Sequence, residues 1–113
     1  MIKYLPDCYL PSAVKGSCVS HEAICVLNTG KEAVNIELTL YFTDREKIDG
    51  LKFTVEPERT ARIRMDQITL PDGSPVPRDT PYALSLEYDK EISLQYTRVD
   101  TTQAELAMIT TML

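Results

Sequence analysis

The chain has 113 residues and a formal net charge of −5, a length that suits one domain spanning 1–113 with a single core. The acidic balance argues against binding nucleic acid, which draws much of its affinity from cations that neutralise phosphate. No apolar run approaches the roughly 18 residues of a membrane span, and the start, Met1-Ile2-Lys3-Tyr4, lacks a leader-type apolar core, so a cytoplasmic location is expected.

Alternation of apolar and polar residues dominates the chain. Ser20-His21-Glu22 opens an apolar run, Ala23 to Leu27, that reads as a strand covered on both faces. Asn28-Thr29-Gly30-Lys31 is turn chemistry, so 22–28 and 33–43 are expected to form a hairpin. Val34, Ile36, Leu38, Leu40 and Phe42 line one side of that second strand, with Asn35, Glu37, Thr39, Tyr41 and Thr43 on the other. Leu51, Phe53 and Val55 alternate up to Pro57, and Ala61, Ile63 and Met65 alternate after the tight link Glu56-Pro57-Glu58-Arg59. Pro71, Pro75, Pro77 and Pro81 stiffen the longest loop, 69–81. Tyr82, Leu84, Leu86 and Tyr88 form the next strand, which Asp89-Lys90-Glu91 turns back into Ile92, Leu94 and Tyr96.

The tail has two readings. Thr102-Gln103-Ala104-Glu105 matches a capping box, which favours a short helix or turn at 102–106; a strand through Leu106, Met108 and Met112 fits almost as well. Either way its apolar side chains exceed what one small sandwich covers, and an exposed apolar end marks an interface, so an oligomer is expected. About seven short strands separated by turns predict an all-β fold, a single β-sandwich of jelly-roll type with, on the first tail reading, a short C-terminal helix.

The chemistry-bearing residues are few. Cys8, Cys18 and Cys25 are an odd set with no C-x-x-C spacing beside one His, which argues against zinc. They read as reduced thiols with Cys25 packed in its strand, and whether Cys8 and Cys18 could pair is left open. His21 beside Glu22 suggests a base or a ligand. Yet neighbours on a strand face opposite ways, and a strand-entry cap is the commoner outcome. Arg98 and Asp100, at i and i+2, share a face and either grip a hydroxylated ligand or lock a strand end. Arg62 and Arg64, with Arg59 nearby, offer a basic strand face that is more often simply solvated. Asp79 and Thr80 suit capping of backbone amides before residue 82. No catalytic triad, glycine-rich phosphate loop or metal-spaced carboxylate cluster appears, so neither enzymatic activity nor a cofactor is expected.

Several stretches resemble the sensory rhodopsin transducer family. They are Ser20-His21-Glu22, Ile24-Cys25-Val26-Leu27-Asn28 with Gly30, Tyr41-Phe42-Thr43-Asp44-Arg45-Glu46, Arg59-Thr60, and Pro77 with Asp79-Thr80. The most specific block is Thr97-Arg98-Val99-Asp100 with Gln103-Ala104-Glu105, and Pro6-Asp7-Cys8-Tyr9-Leu10-Pro11 is similar to the family's opening turn. The chain departs from the pattern at Cys8 (a Gly there), Tyr96 (a His there) and Thr102 (a basic residue there), and in a short, Trp-free segment 11–20. The resemblance implies a cytoplasmic homotetramer that signals, through a membrane photoreceptor or by binding a small polar ligand such as a carbohydrate. On that reading His21, Glu22, Arg98, Asp100, Gln103 and Glu105 form the polar lining. His21 and Gln103 would bond hydroxyls, Arg98 would donate, and Asp100 and Glu105 would accept. The alternatives are a protein–protein adaptor without ligand and a transcription-related DNA-binding transducer, ranked last because the chain is acidic and has lost basic groups.

Overall fold

A strand with one apolar face must lay that face on a second sheet, so a chain of alternating strands settles into two layers. The computed structural model describes all of 1–113 except Ala104 and Leu106. Its strands are β1 (Ile2–Cys8), β2 (His21–Asn28), β3 (Val34–Phe42), β4 (Ile48–Val55), β5 (Arg59–Arg64), β6 (Tyr82–Tyr88), β7 (Ser93–Asp100) and β8 (Ala107–Met112). They form two antiparallel four-stranded sheets, β1-β6-β3-β4 and β5-β2-β7-β8. The all-β sandwich expected from the alternation is the observed fold. Ile36, Leu38, Leu40, Leu84 and Leu86 from the first sheet are buried with Ile24, Val26, Ile63 and Leu94 from the second, and Leu10, Met65, Leu70 and Val76 add to the core from the connections.

The expected hairpin of 22–28 with 33–43 does not form. β2 lies between β5 and β7, whereas β3 lies between β6 and β4, so the Asn28–Lys31 turn carries the chain from one sheet to the other. The buried Asn28 side chain explains the corner. Its Nδ2 donates to the carbonyls of Glu32 (2.9 Å), Val55 (3.2 Å) and Glu56 (3.2 Å), and its Oδ1 accepts from the Gly30 amide (3.0 Å). An amide with this many fixed partners pins two inter-sheet crossings, β2 to β3 and β4 to β5, at one point. Central β2 is fully covered inside, but its outer face opens progressively: Ala23 is buried, Cys25 half-buried and Leu27 exposed.

Two further differences concern the ends of the chain. β1 has no counterpart among the strands read from the sequence, because Pro6 and Asp7 interrupt it; the register with β6 shifts between Leu5 and Cys8. From Ala107 the tail is a strand, β8, paired antiparallel with β7, and no helix occurs among the described residues. Thr102 does not act as a helix N-cap: its amide and hydroxyl both donate to Asp100 Oδ1, at 2.8 and 2.7 Å. The helix or turn expected at 102–106 lies partly outside the described residues; Thr102, Gln103 and Glu105 are bends. All three cysteines are free thiols.

Candidate functional site

One fully buried carboxylate organises an end of the sandwich. Period two along β2 turns Glu22 inward with Ile24 and Val26. Antiparallel register sets it directly opposite Arg98 on β7, with Tyr96 two residues away on the same face. Tyr82, the first residue of β6, reaches across from the other sheet and donates to Glu22 Oε1 at 2.5 Å. Glu22 Oε2 accepts from the Tyr96 hydroxyl, from the Tyr9 amide just past β1 (3.0 Å), and from Arg98 Nε (3.3 Å) and Nη2 (3.2 Å). Arg98 Nε also donates to the Tyr96 oxygen (3.1 Å), and Nη2 to the Asp7 carbonyl (3.2 Å). Among the described residues no buried side-chain nitrogen or oxygen lacks a partner.

The electrostatics follow from burial. Desolvation pushes the phenols of Tyr82 and Tyr96 far above the usual tyrosine range, Glu22's charge and hydrogen bonds adding to it, so both remain protonated donors. Burial, helped by the charge of Glu22, pushes the Cys8 thiol up to about 12, which makes it a packing group and not a nucleophile. No cluster of ligating side chains that could hold a metal occurs among the described residues. The arrangement holds a guanidinium: Arg98 is anchored from below while 28% of its side chain reaches the surface.

Loops lock around this end. Arg78 Nη1 donates to the carbonyls of Pro11 (2.8 Å) and Ser20 (3.2 Å). Asp79, in the left-handed region at φ 57°, accepts from the Ser12 amide (2.9 Å) and hydroxyl, so it caps a distant loop and not the amides before residue 82 that its sequence position suggested. Ser20 Oγ accepts from the Thr101 amide (2.8 Å), and Lys15 N–H donates to the Thr101 carbonyl (2.7 Å).

The six residues read from the sequence are thus dispersed. Glu22 and Arg98 touch. Asp100 follows two residues after Arg98 on its face, and the hydrogen bonds from Thr102 hold its carboxyl below the usual range. Gln103 and Glu105 are exposed on the segment beyond it. His21 faces out, opposite Val99, with its Nδ1 3.1 Å from the Val19 carbonyl, so the inside of β2 belongs to Glu22 and the outside to His21. Of the basic strand face, Arg62 is exposed, whereas Arg64 makes a two-pronged bond to Asp66 at 2.9 and 2.6 Å. The reading from sequence missed Tyr82 and Tyr96, which look like ordinary apolar positions of alternating strands. Their signal was the hydroxyl, which a buried tyrosine must satisfy.

The family comparisons agree with this fold. A family model described as Anabaena sensory rhodopsin transducer matches residues 2–113. No curated protein sequence matches the chain. Among solved structures, the crystal structure of Thermotoga maritima 1070 is similar with a TM-score of 0.85 at 27% identity, over 98% of this chain and 90% of that one. The Anabaena sensory rhodopsin transducer is similar with a TM-score of 0.75 at 33% identity, over 91% of this chain and 90% of the other. With its sandwich, its Thr97–Asp100 block and a family match over residues 2–113, the chain belongs to the sensory rhodopsin transducer family.

Proposed function

We propose that this protein signals by binding, without chemistry of its own, and that it recognises a small polar ligand such as a carbohydrate where Arg98 and Asp100 emerge. The observation that carries this is the cost of holding Arg98. A buried ion pair is weak evidence for stability, since apolar residues of like volume often serve the fold as well. Here two phenols and a backbone amide converge on a fully buried Glu22, which in turn, with the Tyr96 oxygen, accepts from one guanidinium. Such support is what a preorganised recognition group requires. In this reading Arg98 donates to ligand oxygens, Asp100 accepts, and the exposed Gln103 and Glu105 complete the lining. Glu22 positions Arg98, and His21, on the outer face, joins only through a neighbouring protomer of a cytoplasmic homotetramer. The partner class that fits a transducer is a membrane photoreceptor. Isothermal titration with a panel of neutral and acidic sugars tests the reading. Heat is expected from the wild type and not from Arg98→Ala or from Asp100→Asn, which leaves the Glu22 cluster intact. Silence across the panel, or equal heat from Asp100→Asn, overturns it.

The complete internal satisfaction of Glu22 favours a second reading, an adaptor without ligand in which Glu22 holds Arg98 in place and Arg98 and Asp100 lock subunits together. Arg98→Ala should then lower the assembly's mass in sedimentation without any ligand effect.

A further inference from the structure

β4 ends one sheet and β5 ends the other, and these two edges are not paired with each other. An open cleft of about 300 Å³ lies between them. Phe53 from β4, Ala61 and Ile63 from β5 and Ile68 from the loop beyond give it an apolar wall with the core behind. Arg62, exposed on the outer face opposite Cys25, stands at its rim. Arg64 is engaged by Asp66, and Arg59 donates to the Glu58 carbonyl (3.1 Å). Arg62 has neither ion pair nor hydrogen bond from its side chain among the described residues.

Which backbone groups of β5 are free follows from its register with β2. The Met65 amide donates to the Glu22 carbonyl at 2.9 Å, so 65, 63, 61 and 59 turn their peptide groups toward β2. Those of Thr60, Arg62 and Arg64 therefore point away from β2, beside the cleft. The Arg64 carbonyl already accepts from the Gln67 amide (3.1 Å), which caps that end of the edge. Left for a further strand are the N–H groups of Thr60, Arg62 and Arg64 and the C=O groups of Thr60 and Arg62.

We propose that an extended segment of a partner protein adds antiparallel to β5 as a fifth strand of the second sheet, and that its side chains alternate apolar, acidic, apolar. Strand addition takes affinity from main-chain hydrogen bonds and specificity from pockets for alternate side chains. The residue opposite Arg62 exchanges two hydrogen bonds with it and shares its face, so a Glu or Asp there meets the unpaired guanidinium. Its two neighbours point to the other face, opposite Ala61 and Ile63, where the cleft takes β-branched side chains. The arginines also select against the wrong occupant. A second β5, in the register that pairs most residues, sets Arg62 against Arg62, and like charges directly opposite repel. The net charge of −5 does not forbid one carboxylate here. β5 itself carries no acid, and charges more than about 8 Å away are largely screened at physiological salt. β2 separates β5 from β7 and Arg98, so this edge is open whatever binds there.

The experiment titrates the whole chain into a fluorescein-labelled Ser-Thr-Val-Glu-Val-Thr-Ser peptide. Anisotropy should rise. By NMR hydrogen exchange the amides of Thr60, Arg62 and Arg64, open in the free protein, should become protected, while those of Ala61 and Ile63 are protected throughout. Methylating the peptide's Glu nitrogen, which faces the Arg62 carbonyl, should weaken binding about tenfold. Methylating the nitrogen of the second Val, which points away from β5, should not. Arg62→Glu should bind the Glu peptide roughly fivefold more weakly and prefer a peptide with Lys in that place. No binding at roughly 1 mM, equal effects of the two methyl groups, or an unchanged order of the Glu and Lys peptides with Arg62→Glu overturns the proposal. So does protection of the Thr60, Arg62 and Arg64 amides before any peptide is added, which would show the edge already filled by another copy.

Discussion

Two arginine–carboxylate pairs sit on the second sheet, and from the arginine's side they look the same. Arg98 and Arg64 are each 28% exposed, at 3.2 Å from Glu22 and 2.6 Å from Asp66. They differ in what else the carboxylate does and in how far apart the partners lie. Asp66 is two residues from Arg64, and the pair closes a turn onto its own strand. Glu22 is 76 residues from Arg98 and accepts as well from Tyr82 and Tyr9, so it joins β2, β7, β6 and the exit of β1. A local pair adds little to a fold that already holds its turn. A non-local one must be formed for the end of the sandwich to close. The geometry of an ion pair thus says less about its worth than the number of elements its carboxylate ties together.

Removing each carboxylate in turn separates the two pairs most clearly. Glu22→Ala leaves a guanidinium, two phenols and an amide facing an empty space. Loss of one member of a buried pair costs about 3–5 kcal/mol, so urea unfolding should shift by that amount. A loss below about 1 kcal/mol would place Glu22 on the same footing as Asp66. Next in size are the phenols: Tyr82→Phe and Tyr96→Phe each delete a donor to a charged acceptor, worth about 1.5–3 kcal/mol by the same measurement. Because both phenols and Arg98 share one carboxylate, the double variant should fall short of additivity. An additive result would mean that the hydroxyls act separately and no cluster exists.

Much of this was legible in advance, and the rest was hidden for physical reasons. The period-two runs of β3 to β7 are one-dimensional signals and survive in the sequence. Sheet membership does not: the Asn28–Gly30 turn suits a hairpin or a corner, and the choice depends on Val55 and Glu56, residues that Asn28 meets only after folding. β1 was obscured by Pro6. Adjacency correctly separated His21 from Glu22, since strand neighbours face opposite ways, but nothing local paired Glu22 with Arg98. That pairing is a property of the β2–β7 register. The tyrosines were concealed because their rings satisfy the alternating pattern and only their hydroxyls depart from it.

The smallest effect belongs to the local pair, and it carries a pH signature. Burial by itself would raise the Asp66 carboxyl, but the hydrogen bonds and charge of Arg64 outweigh it and hold it below the usual carboxylate range. A carboxyl whose folded pKa is depressed contributes stability that is present above its unfolded value, near 3.9, and lost as pH falls through the folded value. Asp66→Asn should therefore cost about 1 kcal/mol or less at pH 7. The gap between variant and wild type should narrow as pH is lowered below about 4, where the wild-type carboxylate also loses its charge. Urea melts at pH 7, 5 and 3 measure this directly. A gap of several kcal/mol at neutral pH, or one that widens in acid, would show that the short local pair holds the sheet as firmly as the long-range one, and the distinction between them would fall.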